Sequence, residues 1–202
     1  MKSLLFFSIL LLSFPLTALA FQTETYGWEA TDTVLGIYGN GIASIEDTSP
    51  VYNGAQSLKF EESPLGGTPQ AYVSWIQNLN DGDTVAASFW VYDDTPGSTY
   101  PSGRIWGHWN DDPSDPTVYD GTASGNEDFS PGAGWSLLEW EWTVADGHTG
   151  LMVEGRIYSS TEYDTIWFDD LTIIAPDGAT ILFPDYVVSL ERNSWGAIKA
   201  SF

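Results

Sequence analysis

Cysteine is absent from this 202-residue chain, and lysine and arginine together number 6 against 28 aspartates and glutamates. Without a thiol there is no disulfide framework, no thiolate nucleophile and no Cys-ligated zinc or iron–sulfur centre, and a lipid anchor carried on cysteine is excluded as well. Histidine is nearly as scarce. His108 and His148 are too few for a polyhistidine metal site and a thin supply for His-assisted nucleophilic catalysis. A formal net charge of -22 leaves no basic patch to neutralise phosphates, so nucleic acid is excluded as a partner and docking on anionic lipid is disfavoured.

Long apolar runs are missing too, with one exception at the start. Lys2 precedes Leu4-Leu5-Phe6-Phe7-Ser8-Ile9-Leu10-Leu11-Leu12, and the segment closes on Ala18-Leu19-Ala20, small residues at the positions a signal peptidase reads. Pro15 breaks the run short of the roughly 20 apolar residues needed to span a bilayer. Residues 1–20 therefore read as a signal peptide cut after Ala20 rather than a membrane anchor. The product is expected to be secreted (extracellular, periplasmic or at the cell surface), without membrane insertion. Cleavage removes Lys2 and leaves the remainder more acidic still.

Helical periodicity is lacking over most of the chain beyond residue 20. Turn signals recur at short intervals, among them Asn53-Gly54, Asn80-Asp81-Gly82, Pro131-Gly132, Asp146-Gly147 and Pro176-Asp177-Gly178, and the stretches between them are rich in Val, Ile, Thr and aromatics. Strands are predicted at 34–38, 42–46, 55–60, 71–77, 84–92, 104–109, 135–143, 150–159, 164–174 and 180–183. This pattern predicts an all-β fold, a two-sheet antiparallel jelly-roll sandwich over residues 21–183 as a single domain. Residues 184–202 form a short tail. Val188, Trp195, Ile198 and Phe202 recur there at helical spacing, but Asn193, Ser194 and Gly196 weaken a helix, so a short helix and a loose tail both stay open.

Four stretches, in order, resemble the signature of CenC-type carbohydrate-binding modules, a branch of the galactose-binding-like jelly rolls. They are Gly27-Trp28-Glu29, then Tyr52-Asn53-Gly54-Ala55-Gln56-Ser57-Leu58-Lys59-Phe60, then Leu79-Asn80-Asp81-Gly82-Asp83-Thr84 leading to Phe89-Trp90-Val91, and Ile166-Trp167-Phe168-Asp169-Asp170-Leu171. Gly134-Trp135 fits between them. The resemblance implies a non-catalytic, glycan-binding jelly roll with one structural calcium ion. It implies Glu29 and Asp169 as the carboxylate ligands, with backbone carbonyls of the 53–59 loop completing the shell. Calcium takes oxygen ligands of this kind. The alternative is that both carboxylates simply accept backbone hydrogen bonds in a turn.

Alternation along the predicted strands sorts a polar, aromatic face from an apolar one. Trp90, Tyr92, Arg104, Trp106, His108, Glu139, Glu141, Glu154, Arg156 and Tyr158 fall on the solvent-facing sides. If their strands are neighbours in one sheet, they make an aromatic platform ringed by hydrogen-bonding groups, suited to a polysaccharide or oligosaccharide: rings stack on the apolar sugar face while Arg and Glu bond its hydroxyls. The acidic charge favours a neutral glycan. Against this, Arg104 and Arg156 can serve only to pair with Glu139, Glu141 or Glu154. Trp28, Trp75, Trp135, Trp140, Trp142 and Trp167 are expected in the core. The acidic loop 110–130 is either solvated or, less directly, a second calcium site, though it lacks EF-hand spacing.

Two other classes remain. A glycanase needs paired carboxylates; Val153-Glu154-Gly155 superficially resembles the acid-bearing strand of small xylanases, but the partner motif is missing, and so is a recognisable Tyr/His/Arg/Gln lyase constellation. The protein is therefore expected not to be an enzyme. The third class is a calcium-stiffened structural or protein-interaction module of the cell surface or matrix. The oligomeric state is not legible.

Overall fold

The computed structural model describes residues 20–95 and 101–185. Residues 1–19 of the segment read as a signal peptide, and 186–202 of the tail, lie outside the described residues. Twelve strands are present: β1 (Phe21–Tyr26), β2 (Gly36–Tyr38), β3 (Gly41–Glu46), β4 (Ser57–Glu62), β5 (Gln70–Gln77), β6 (Thr84–Asp93), β7 (Ser102–Trp109), β8 (Thr122–Gly125), β9 (Gly134–Thr143), β10 (Gly150–Tyr158), β11 (Thr165–Pro176) and β12 (Thr180–Leu182). The fold is all-β, as expected, and each predicted strand is found. β1 and β8 are additions that the sequence reading missed.

The strands form two six-stranded antiparallel sheets. The first has the order β3-β4-β11-β6-β9, with β1 also on β11; the second has the order β12-β5-β10-β7-β8, with β2 also on β5. From β4 to β7 and again from β9 to β12, each strand lies in the opposite sheet from the one before it. Two consecutive strands with alternating faces thus point their polar sides in opposite directions, which decides where polar side chains can meet.

The core is where the inner faces meet. Val85, Ala87, Phe89 and Val91 of β6 face Leu151, Val153 and Ile157 of β10 across it, all buried, because the period-2 pleat puts every second residue inward. Phe168 stands at the centre, with Phe89 edge-on at 5.1 Å and Phe60 at 6.4 Å between ring centroids. Gly155 makes room for it: a Cβ there would lie 2.9 Å from the Phe168 ring. Emptying such a position costs about 3–5 kcal/mol. Trp28 and Trp142 join this core, and Trp75 is buried in a smaller cluster with Tyr72, Met152 and Leu182.

The other tryptophans expected inside are not. Trp135 and Trp167 are half-buried on the outer face of the first sheet, and Trp140 is 37% exposed on edge strand β9. β9 pairs only with β6 among the described residues, so its side chains lack a neighbouring strand to cover them.

Candidate functional site

The outer face of the second sheet is built by alternation on three adjacent strands. Register places Glu154 of β10 between Trp106 of β7 and Tyr72 of β5, and Arg156 between Arg104 and Gln70. Inward neighbours Ile105, Gly155 and Ala71 are fully buried, so these side chains must stand outward. The segment between β7 and β8 folds back over one side and brings Thr117 and Tyr119 across from Tyr38 of β2. Tyr38, Gln70, Tyr72, Thr117, Tyr119 and Arg156 enclose a groove of about 500 Å³.

A buried charge network forms its floor. His108 Nδ1 donates to Glu154 Oε1 at 2.5 Å, and Arg156 Nε donates to Glu154 Oε2 at 2.6 Å. With its amide nitrogen toward Glu154, Gln70 also donates to Oε2 and accepts from Arg156 Nη2, both at 3.3 Å. Glu154 and His108 are 0% exposed. Their burial is tolerable because the carboxylate is satisfied on both oxygens. His108 Nε2, equally buried, has no partner among the described residues. Burial pushes the neighbouring Tyr72 hydroxyl up to about 12, with the Glu154 carboxylate adding to the rise, so Tyr72 is a neutral hydrogen-bond donor at physiological pH.

Both arginines of the described residues sit against rings here. The Arg156 guanidinium lies 4.6 Å from the Trp106 centroid; that of Arg104 lies 4.5 Å from Phe129 and 5.1 Å from Trp106. Arg104 is tied down further, donating to the Asn126 and Glu127 carbonyls and pairing with the Glu127 carboxylate at 3.1 Å. The pairing alternative is thus realised for Arg156 with Glu154, and for Arg104 with Glu127 rather than with any of the glutamates anticipated. Trp106 is half-buried, its Nε1 donating to Thr122. Tyr158 packs edge-on against Phe129 at 5.0 Å.

The expected platform needs correction. Arg104, Trp106, His108, Glu154, Arg156 and Tyr158 share the outer face of the second sheet, but Trp90, Tyr92, Glu139 and Glu141 are on β6 and β9 of the first, facing the opposite way. The strands are not neighbours in one sheet because the chain crosses between sheets from β6 to β7 and again from β9 to β10. His108 and Glu154 are also not solvent-facing: Tyr72 and Tyr119 pack over the His108 ring at 4.9 and 5.4 Å, and Glu154 lies beneath Arg156. Sequence reasoning missed Tyr38, Gln70, Tyr72 and Tyr119. Gln70 and Tyr72 alternate with Ala71 and Val73, a signal that could have found them; Tyr119, inside an acidic loop, carried none.

On the opposite side of the molecule, Tyr52 stacks on Trp90 at 4.2 Å between centroids. Trp135 stands edge-on to both Tyr52 and Tyr92, and Tyr92 edge-on to Trp167.

Beside that stack, Glu29 and Asp169 converge on the loop between β3 and β4. Glu29 Oε1 accepts from the Ala55 and Gln56 amides, and Asp169 Oδ2 from those of Tyr52 and Asn53. A side chain on Gly54 would collide with the Glu29 carboxylate, and its φ of 72° independently favours glycine. Trp28 (φ 55°) and Asp170 (φ 52°), each next to one carboxylate, also have left-handed backbone, a conformation that side chains adopt only when the surroundings impose it. Asp169 is fully buried, and burial raises its carboxyl above the usual range despite the three amides that bond it. Among the described residues there is no group of three or more His, Asp or Glu side chains placed to hold a metal. The side-chain donors here are two carboxylates, oxygen ligands of the kind calcium takes, and both already accept backbone amides.

No protein-family model matches the sequence, and comparison with curated proteins finds no match. Solved structures do match the fold. The CBM22-1 xylan-binding domain of Paenibacillus barcinonensis Xyn10C superposes with a TM-score of 0.51 at 17% identity, covering 79% of this chain and 98% of that one. An arabinose-bound GH51 α-L-arabinofuranosidase gives 0.51 at 16% identity, covering 74% of this chain but 25% of the enzyme. At these identities the likeness establishes the architecture: this chain folds as the two-sheet jelly roll that the xylan-binding domain also adopts.

Proposed function

We propose that the protein is a non-catalytic carbohydrate-binding module that holds a neutral polysaccharide in the groove over its second sheet. The observation that carries this reading is the groove itself: Tyr38, Tyr72 and Tyr119 offer rings and hydroxyls around Arg156, which is held rigid by buried Glu154 and backed by the Trp106 ring. Rings of this kind stack on pyranose faces, and fixed polar groups bond the hydroxyls without an ordering cost at binding. Glu154 cancels the charge of Arg156, so the floor has no surplus positive charge for a uronate. The fold shared with a xylan-binding domain supports the same class of ligand.

A binding role fits better than catalysis. Among the described residues no carboxylate lines the groove, and Glu154 beneath it has both oxygens engaged, whereas glycoside hydrolysis needs two available carboxyl groups. The CenC-type motifs extend the proposal to a structural calcium ion held by Glu29 and Asp169, which would tie the N-terminal segment and β11 to the loop between β3 and β4. Bound there, calcium would supply charge compensation for the buried Asp169.

Affinity electrophoresis in gels containing soluble xylan or mixed-linkage β-glucan tests the reading. Retardation is expected for the wild type, with loss of roughly 30-fold in affinity for Trp106→Ala, which removes the ring that holds Arg156 in place, the scale of a residue on which the binding geometry depends. No retardation on any neutral glycan would leave the surface-protein alternative instead.

A further inference from the structure

The outer face of the first sheet has its own groove. Small residues Ala86 and Ser88 of β6 form the floor, Glu139 and Glu141 of β9 stand on one side and Ile174 of β11 on the other, around a volume of about 380 Å³. Two residues further along β6 on the same face, about 7 Å away, the Trp90–Tyr52 stack lies beyond one end. Tyr52 is 40% exposed there, and Leu137 beside Trp90 is 45% exposed.

We infer that this groove is a second glycan-binding site, so that one molecule bridges two polysaccharide chains on opposite faces. The choice of occupant rests on the two glutamates. Both are exposed, opposite Ser88 and Ala86 in register, and no cation among the described residues pairs with either. A second copy, or a partner with no cation opposite them, would bury them unpaired, and two copies would bring their like charges together, a cost that interfaces avoid by excluding glutamate from their centres. A neutral sugar answers the same geometry at no such cost: its hydroxyls donate to the carboxylates while its apolar face meets the exposed ring edge of the stack. Anionic glycans are repelled. The site is on the sheet facing away from Arg156 and shares no residue with the groove over the second sheet, so it stands whether or not that groove binds sugar.

The test uses the full chain with soluble xylan and mixed-linkage β-glucan as probes, comparing the wild type, Trp106→Ala, Tyr52→Ala and Trp90→Ala by affinity electrophoresis, and following cross-linking of the polysaccharide by light scattering. Tyr52 projects from a loop, so its removal leaves the sheets intact even if the Trp90 variant folds poorly. Bridging predicts that wild-type protein raises the scattering of a polysaccharide solution, that Tyr52→Ala abolishes this while keeping single-site retardation, and that Trp106→Ala keeps residual retardation which Tyr52→Ala in the same chain removes. Persistence of that residual retardation also separates this site from the groove over the second sheet: full retention in Trp106→Ala, lost only with Tyr52→Ala, supports this site and removes the other. Wild-type affinity unchanged by Tyr52→Ala, with no cross-linking, overturns the inference. So does a protein dimer in sedimentation that Tyr52→Ala dissociates, and so does a wild type that binds neither probe.

Discussion

The two outer faces of the sandwich have similar ingredients, aromatic rings and carboxylates on alternating strands, and organise them differently. On the second sheet the order comes from charge: one buried carboxylate, Glu154, holds His108 and Arg156, and the rings are arranged around that network. On the first sheet it comes from stacking and from a loop pinned by carboxylates, with Tyr52 laid on Trp90 while its own amide is held by Asp169. The first arrangement is rigid because breaking it exposes a charge to an apolar surrounding. The second depends on a loop whose anchor, Asp169, is itself an uncompensated buried acid. The faces should therefore fail in different ways.

The largest effect is expected from Glu154→Ala. It strands Arg156 and His108 without their partner, and loss of one member of a buried ion pair costs about 3–5 kcal/mol. Urea unfolding should show this as a lower midpoint with an unchanged slope, together with a fall in glycan retardation to the residual level carried by the first sheet, while fluorescence from the Tyr52–Trp90 stack stays native at low denaturant. A loss below ~1 kcal/mol would mean that the network does not order the second sheet's face, and the contrast between the faces would collapse.

Calcium should act on the other side. A ligand at 100 times its dissociation constant stabilises by about 2.7 kcal/mol, or roughly 5–10 °C in melting temperature for a domain of this size. The shift between calcium and chelator should vanish in Glu29→Gln and survive in Trp106→Ala. The pH dependence carries a sign that helps here. Burial raises the Asp169 carboxyl, so its protonated form is favoured by folding; in chelator its contribution to stability is present at acid pH and is lost as pH rises through the raised value. Calcium, competing with the proton for the same carboxylate, should reverse that slope between the ordinary and the raised value. Identical melting curves with calcium and chelator would leave Glu29 and Asp169 as turn acceptors and nothing more.

How much of this was legible beforehand varies with the range of the interaction. Strand positions were readable because the alternation of Val85, Ala87, Phe89 and Val91 against Ala86, Ser88, Trp90 and Tyr92 is a property of the pleat, local to eight residues. The convergence of Glu29 and Asp169 on one loop was reached only through motif order, since 140 positions of chain separate them. The split of the platform was not readable at all. Face alternation fixes which side of its own strand a residue occupies, but sheet membership depends on which strands pair, and β6 and β7, adjacent in sequence, pair with β9 and β10 in different sheets. Strand β8 escaped notice because Thr122–Gly125 is four residues long in a loop read as solvated. Strand β1 was missed for another reason: five of its six residues are outside the buried set, leaving no apolar stripe to detect.

The smallest expected effect concerns the roof of the second sheet's groove. Asp111, at the root of the loop carrying Thr117 and Tyr119, accepts from the Thr149 amide at 2.6 Å and from His148 Nδ1 at 2.8 Å, and His148 stacks on Trp109 at 4.7 Å. Burial works against ionisation of this carboxyl, but the Thr149 amide and the His148 ring outweigh it and hold Asp111 below the usual range. A lowered folded value means that its contribution is fully present above the ordinary carboxylate value and is lost as pH falls from there through the lowered value. The carboxylate is a third exposed and the pair is screened by solvent, so Asp111→Asn should cost no more than about 1 kcal/mol at neutral pH. The gap to wild type in urea midpoint should close on acidification below the usual carboxylate range. Glycan affinity should weaken slightly, because Tyr119 loses the anchor of its loop, whereas cross-linking through the Tyr52–Trp90 face per bound molecule should not change. A gap that stays constant down to strongly acid pH would show that Asp111 serves by shape rather than charge, and the second sheet's face would then owe its order to Glu154 alone.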